Sequence, residues 1–318
     1  MAKTPVALLT GFLGSGKTTL LSRLLAHPSL GETAVIVNEL GEVAIDHHLL
    51  RRVDERTVVL GNGCVCCTLR GDLADELRDL LGRRERGEIP PFSRVVVETT
   101  GVADPAPILY TLVAEPVVKS HFELERVITT VDAVHGLRGA ESVRQAAAAD
   151  RLVVTKTDLA AGDELERELA ALNPTAEIVE ASFGDVDPGV LFGGLERDLR
   201  DLRELPAAGG HAHGGDEVRA HSLVFDEQLD WAAFGVWLTM LLGSRGGDVL
   251  RVKGLLDVGG PGPLLVNGVQ HVVHPPVHLD AWPDDDHGSR IGFIGRGFDS
   301  SALESSLTAF NRLATRAG

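Results

Sequence analysis

This 318-residue sequence predicts an α/β fold, a mostly parallel sheet flanked by helices, followed by a smaller α+β domain. Three observations carry that expectation. Short β-branched runs alternate with amphipathic stretches up to about residue 203, a glycine-rich loop follows the first run, and the composition changes after the last. Strands buried on both faces read as continuous apolar runs, and strand–helix alternation implies parallel pairing. The expected strands are residues 6–9, 34–37, 58–60, 95–97, 127–131, 152–154 and 178–179. Between them, Leu69, Leu73, Leu77, Leu80 and Leu81, then Leu165, Leu169 and Leu172, repeat at helical spacing. A helix over 19–26 is stopped by Pro28.

Beyond this domain (residues 1–205), residues 206–218 hold Gly, Ala, Pro and two histidines without an apolar period, which predicts a flexible linker. Residues 219–318 form the second domain, with strands near 222–225, 250–252, 264–266, 271–273 and 290–294 and helices over 231–242 and 302–314. His211 and His213 in so short a tract read as linker, with transient metal docking as the alternative. A net charge of −16 argues against nucleic acid or an anionic membrane as the main partner. No apolar run reaches the ~20 residues a membrane-spanning helix needs, and no secretory leader pattern opens the chain, so a cytoplasmic protein is expected.

Gly11-Phe-Leu-Gly14-Ser15-Gly16-Lys17-Thr18 follows a strand and opens a helix, the setting of a phosphate loop. Its glycines let backbone N–H groups converge on phosphate, and the helix N-terminus adds a favourable dipole. Lys17 is expected between the β- and γ-phosphates, the Thr18 hydroxyl on Mg2+, and Thr19 alongside. This predicts a P-loop NTPase domain. Glu98 ends a strand and can reach the magnesium shell, and Gly101 can turn its amide toward a γ-phosphate. Asp132, ending the neighbouring strand, is a weaker candidate for the same region.

Thr155-Lys156-Thr157-Asp158 resembles the guanine-reading pattern Asn-Lys-x-Asp with threonine first. Asp158 can accept from guanine N1–H and the 2-amino group, neither of which adenine offers, so GTP is favoured over ATP. The Lys156 stem can pack along the base, and Ala181-Ser182 can add a backbone contact.

All three cysteines lie in Cys64-Val65-Cys66-Cys67. Adjacent cysteines pair poorly as disulfides, and three thiolates suit a soft ion while leaving a fourth position open. That suits acquisition and release; small buried hydrophobes or redox thiols are the alternatives. Glu39 and Glu42, after another strand, can donate oxygens to the same ion or move as a nucleotide-sensitive switch, whereas His47 and His48 read as surface residues.

Taken in order, GFLGSGKTT, VNELGEVAIDHHLL, GNGCVCCTLRGDL, VVVETTGVADP, ADRLVVTKTDL and LRVKGLLDV closely resemble the CobW family of GTPases, relatives of the urease and hydrogenase nickel-insertion GTPases. The resemblance spans nearly the whole chain, including a CobW-type C-terminal domain. It implies a slow GTPase acting as a metallochaperone, with Cys64, Cys66 and Cys67 as metal ligands and Glu39 and Glu42 nearby. Glu98 then replaces the more usual magnesium-site aspartate, and threonine at 155 is tolerated. The cofactors implied are GTP/GDP, Mg2+ and Zn2+ or Co2+, less readily nickel or iron. The partner implied is a metal-requiring client protein, and a homodimer is compatible. Two rival readings are a phosphate-loop ATPase or kinase with structural zinc and a non-catalytic metal sensor or buffer.

Overall fold

The computed structural model of the chain describes residues 3–37, 58–61, 71–193 and 218–317. It divides into two compact units, Met1–Leu169 with Ala176–Gly194 and Ala170–Thr175 with Leu195–Gly318.

The first unit holds seven strands: β1 (Thr4–Gly11), β2 (Thr33–Val37), β3 (Val58–Gly61), β4 (Arg94–Glu98), β5 (Phe122–Asp132), β6 (Arg151–Thr155) and β7 (Glu177–Ala181). They form one sheet in the order β3-β2-β4-β1-β5-β6-β7. Every pairing is parallel, so all the carboxyl ends share one edge, where ligands bind in open α/β sheets. All seven expected strands are present, extended at their ends. The register puts Gly61, Val37, Glu98 and Leu9 in a single cross-strand row.

Helix α1 (Lys17–Leu25) begins two residues before the expected start. Its Leu20, Leu21, Leu24 and Leu25 pack with Ala7, Leu9, Val35, Val96 and Ile128 in one buried cluster. Burying each such leucine is worth about 1.5–3 kcal/mol, which anchors the helix beneath its loop. Helices α2 (Gly71–Glu85), α3 (Pro105–Ala114), α4 (Pro116–His121), α5 (Gly139–Ala148), α6 (Asp163–Leu172, whose last three residues are counted with the second unit) and α7 (Pro188–Phe192) follow. Three of them open on an acid–proline pair. Asp104, Glu115 and Asp187 each accept a hydrogen bond from a first-turn N–H, and the following proline fits the first helical position.

The second unit is antiparallel. Strands β8 (Val218–Phe225), β9 (Val249–Leu256), β10 (Leu264–Val269), β11 (Val272–Val273), β12 (Val277–His278) and β13 (Ser289–Arg296) run in the order β11-β10-β9-β13-β8, with β12 pairing β10. Val218, the last expected linker residue, opens the first strand; residues 206–217 lie outside the described residues. Helices α8 (Trp231–Arg245) and α9 (Ser300–Ala317) contribute Phe234, Trp237, Leu303 and Leu307 to a core with Leu223, Val252, Val266 and Phe293. Alternate residues of β9 and β13, among them Arg251, Lys253 and Arg290, are also buried. Among the described residues, no helix is long and apolar enough to cross a membrane.

Candidate functional site

The phosphate loop closes where β1 meets α1. Gly11, Gly14 and Gly16 have φ of 141°, 73° and 92°, conformations that L side chains rarely adopt. At Gly11 the space is closed as well, since a Cβ would lie 2.3 Å from Thr130 Oγ1 and 2.7 Å from Ser15 Oγ. The loop rests on buried hydroxyls. Ser15 Oγ and Thr130 Oγ1 are 2.6 Å apart, and Thr99 Oγ1 donates to Thr10 Oγ1 at 2.9 Å. Lys17 is buried, and its Nζ donates to Gly11 O at 2.8 Å and Phe12 O at 3.2 Å. The ammonium is thus held over the loop whose N–H groups would receive phosphate.

Thr18 Oγ1 donates to Glu98 Oε1 at 2.8 Å, bringing together two residues 80 apart in sequence. A hydroxyl and a carboxylate at a phosphate loop are hard oxygen donors of the kind Mg2+ takes, so the residues present fit that ion. Gly101 follows on the turn after β4. A Cβ there would lie 2.5 Å from Leu13 N, so only glycine lets this segment approach the phosphate loop so closely. Thr19 is exposed on the first turn of α1.

At the end of β6, in the segment expected to read guanine, Thr155 has a structural role of its own. Its Oγ1 donates to Ser15 O at 2.7 Å, tying the end of β6 to the phosphate loop through a buried bond. Lys156 (φ 59°) and Phe183 (φ 54°) are left-handed on the adjoining turns after β6 and β7. Such strain costs about 1–3 kcal/mol per residue and persists where the surroundings enforce it. Ser182 Oγ reaches Asp158 Oδ1 at 3.5 Å, linking the two turns read as guanine contacts. Asp132 is committed to the Lys156 turn, bound to Lys156 Nζ and, at 2.8 Å, to His135 Nδ1. Burial pushes its carboxyl up, but hydrogen bonds from Lys156, His135 and the Val134 N–H outweigh it and hold the group below the usual carboxylate value.

Cys64, Cys66, Cys67, Glu39, Glu42, His47, His48, His211 and His213 lie outside the described residues. Among the described residues, no three His, Cys, Asp or Glu side chains gather as a metal-ligand group. The hydroxyl lattice of Thr10, Thr99 and Thr130 escaped the sequence reading because threonines in or just after strands look like ordinary β-formers. Gln145 escaped it too, although a lone amide before Ala146-Ala147-Ala148 was a visible signal.

Residues 5–180 match the family described as CobW/HypB/UreG, nucleotide-binding domain. The chain belongs to this family. Residues 218–311 match the cobalamin synthesis protein cobW C-terminal domain. The zinc chaperone YjiA of Escherichia coli (strain K12) is 35% identical over 298 residues, covering 91% of this chain and 93% of that protein. A zinc chaperone CobW of Pseudomonas aeruginosa is 31% identical over 350 residues, covering 96% and 91%. The crystal structure of Zn(II)-bound YjiA GTPase from E. coli is similar at a TM-score of 0.73 and 30% identity, covering 98% of this chain and 99% of that one. These family members share both units with the present chain.

Proposed function

We propose that this member of a GTPase family is a zinc chaperone that binds its ion at Cys64, Cys66 and Cys67 in the GTP state and hands it to a client protein after hydrolysis. Glu39 and Glu42 assist at the ion, and cobalt is a second cargo of suitable ligand preference. Lys17 and the loop N–H groups from Gly14 to Thr19 hold the phosphates, Thr18 and Glu98 would hold Mg2+, Gly101 faces the γ-phosphate, and Thr155, Lys156 and Asp158 read guanine. When bound, Mg2+ would neutralise charge on the phosphates.

One observation carries the coupling. Gly61, three residues before Cys64, shares a cross-strand row with Val37 and Glu98. Gly61 and Glu98 are two strand spacings apart, about 10 Å, and three residues of chain reach about 10 Å. A chain of that length can bring Cys64 to the carboxylate that meets Thr18, which supports the reading. Glu39 follows Val37 in the same row by only two residues. The second unit carries no nucleotide motif and is assigned to client recognition.

The test is zinc and cobalt affinity by chelator competition for apo, Mg-GDP and non-hydrolysable Mg-GTP-analogue forms. At least tenfold tighter binding in the last, about 1.4 kcal/mol of coupling, is expected. Equal affinities in all three forms would leave structural zinc in an ordinary nucleotide hydrolase.

A further inference from the structure

The turn after Glu98 is gripped from two sides. On the first side Gly101 lies so close to Leu13 of the phosphate loop that no Cβ fits. On the second stands Gln145 of α5, fully buried. Its Nε2 donates to Gly101 O at 3.2 Å and to Ala103 O at 3.0 Å. Both N–H bonds of one side-chain amide are thus spent on the main chain of this turn. Gln145 is itself anchored, because Thr129 Oγ1 on β5 donates to its backbone carbonyl at 2.9 Å. Its Oε1 is buried and accepts no hydrogen bond among the described residues, and the side chain lines a small cavity together with Ser15, Thr130 and Asp132.

Helix packing does not call for this residue. The neighbouring positions of the buried face are Ala146, Ala147 and Ala148, and an amide buried with its oxygen unmatched is costlier than another alanine. What the amide provides is satisfaction of two carbonyls in a segment that belongs to neither a strand nor a helix, and thereby a fixed place for the Gly101 peptide. We propose that Gln145 is a positioning residue for GTP hydrolysis, holding Gly101 in register with the phosphate loop. This rests on the assignment of Gly101 beside the γ-phosphate. Gln145 acts on the geometry of the reacting complex and not on nucleotide capture, because its side-chain hydrogen bonds go to the turn after β4 and not to the loop that grips the β-phosphate. Misplacing a positioned group by about 1 Å can cost on the order of 100-fold in rate.

The experiment compares the full chain with Gln145→Met, which keeps length and apolar volume but removes both donors. GTP turnover, KM, GDP affinity and amide hydrogen exchange are measured for each. The expected result is a kcat lowered tenfold or more, with KM and GDP affinity within twofold and faster exchange confined to residues 99–104. An unchanged kcat, or kcat and GDP affinity falling in parallel, would overturn it, the latter being the mark of a merely structural residue. If Q145M does not fold, Gln145→Asn, which retracts the amide by one methylene, takes its place with the same expectations. A wild-type chain that turns over no GTP would sink the functional reading, and this proposal with it. A hydrolysing wild type matched by its variant sinks the proposal alone.

Discussion

The two units gather most of their buried polar groups in different places. In the first, the buried polar groups that matter (Ser15, Lys17, Glu98, Thr99, Thr130, Asp132 and Thr155) gather at the carboxyl ends of parallel strands or in the loops that leave them. In the second, Arg251, Lys253, Arg290 and His221 are buried within the strands themselves. Arg290 is fully buried and donates to Asp284 at 2.8 Å. Strand ends can offer polar groups to a ligand because the backbone there leaves the ladder, whereas a charge midway along a strand must find its partner inside the fold. Polarity at the strand ends of the first unit is therefore open to a ligand, whereas polarity within strands, that of Arg126 and Arg151 in the first unit included, is architecture.

The largest expected effect follows directly. Lys17→Ala should lower GTP turnover by about 100- to 1000-fold, the scale for losing one preorganised donor to a developing charge. Unfolding followed by tryptophan fluorescence should barely move, since Trp231, Trp237 and Trp282 all report on the second unit. Arg290→Ala should do the converse. Removing one partner of a buried pair costs about 3–5 kcal/mol; because Asp284 is partly exposed, about 2–3 kcal/mol is expected here. Urea midpoints read by tryptophan emission should fall while GTP affinity stays put. An R290A chain that unfolds normally but no longer hydrolyses GTP would break the comparison.

The same contrast explains what the sequence disclosed. Parallel strands buried on both faces write themselves as Val-Ile-Leu runs, and a phosphate loop needs glycines at set positions. The seven strands and the Lys17–Thr18–Glu98 cluster were therefore legible. In the second unit the short strand Val277–His278 was missed, because two exposed residues leave no periodic signal. Helices α3, α4 and α7 are announced by Asp104-Pro105, Glu115-Pro116 and Asp187-Pro188, but their apolar faces are too short to declare a period. The roles of Thr155 and Gln145 depend on contacts 140 and 44 residues away; a lone amide among alanines marks Gln145 as unusual, but no local pattern names either partner.

Thr155→Val tests how tightly the base-reading end is tied to the phosphate end. The substitution keeps the shape but removes the donor to Ser15 O, leaving a buried carbonyl short of a partner at about 1–3 kcal/mol. GTP and GDP affinities should both weaken, by about tenfold if 1.4 kcal/mol of that falls on the bound state. Equilibrium titration with a fluorescent guanine nucleotide reads this out. An unchanged affinity would mean that the Ser15 contact does not shape the loop.

The smallest effect concerns pH and separates the units by the group that titrates. Burial, reinforced by Arg219 and opposed by Asp299, holds the His221 imidazole below its ordinary value, while its Nδ1 lies 2.8 Å from Ser300 Oγ. A histidine depressed in the fold binds its proton more readily when unfolded. Its stabilising contribution is full above about pH 6.5 and is lost as pH falls from there through the folded value. Asp132 is also depressed, so by the same sign its contribution is full above about pH 4 and is lost only below it. Between pH 7 and 5, then, His221 weakens the second unit while Asp132 leaves the first untouched. The slope from one such proton is at most about 1.4 kcal/mol per pH unit. Tryptophan-detected urea midpoints at pH 7.0, 6.0 and 5.0 should decline in the wild type and flatten in His221→Gln, which offers Ser300 a hydrogen-bonding group that does not titrate. If the variant keeps the full decline, the titrating group lies elsewhere, and the buried cations of the second unit would no longer be the whole of its architecture.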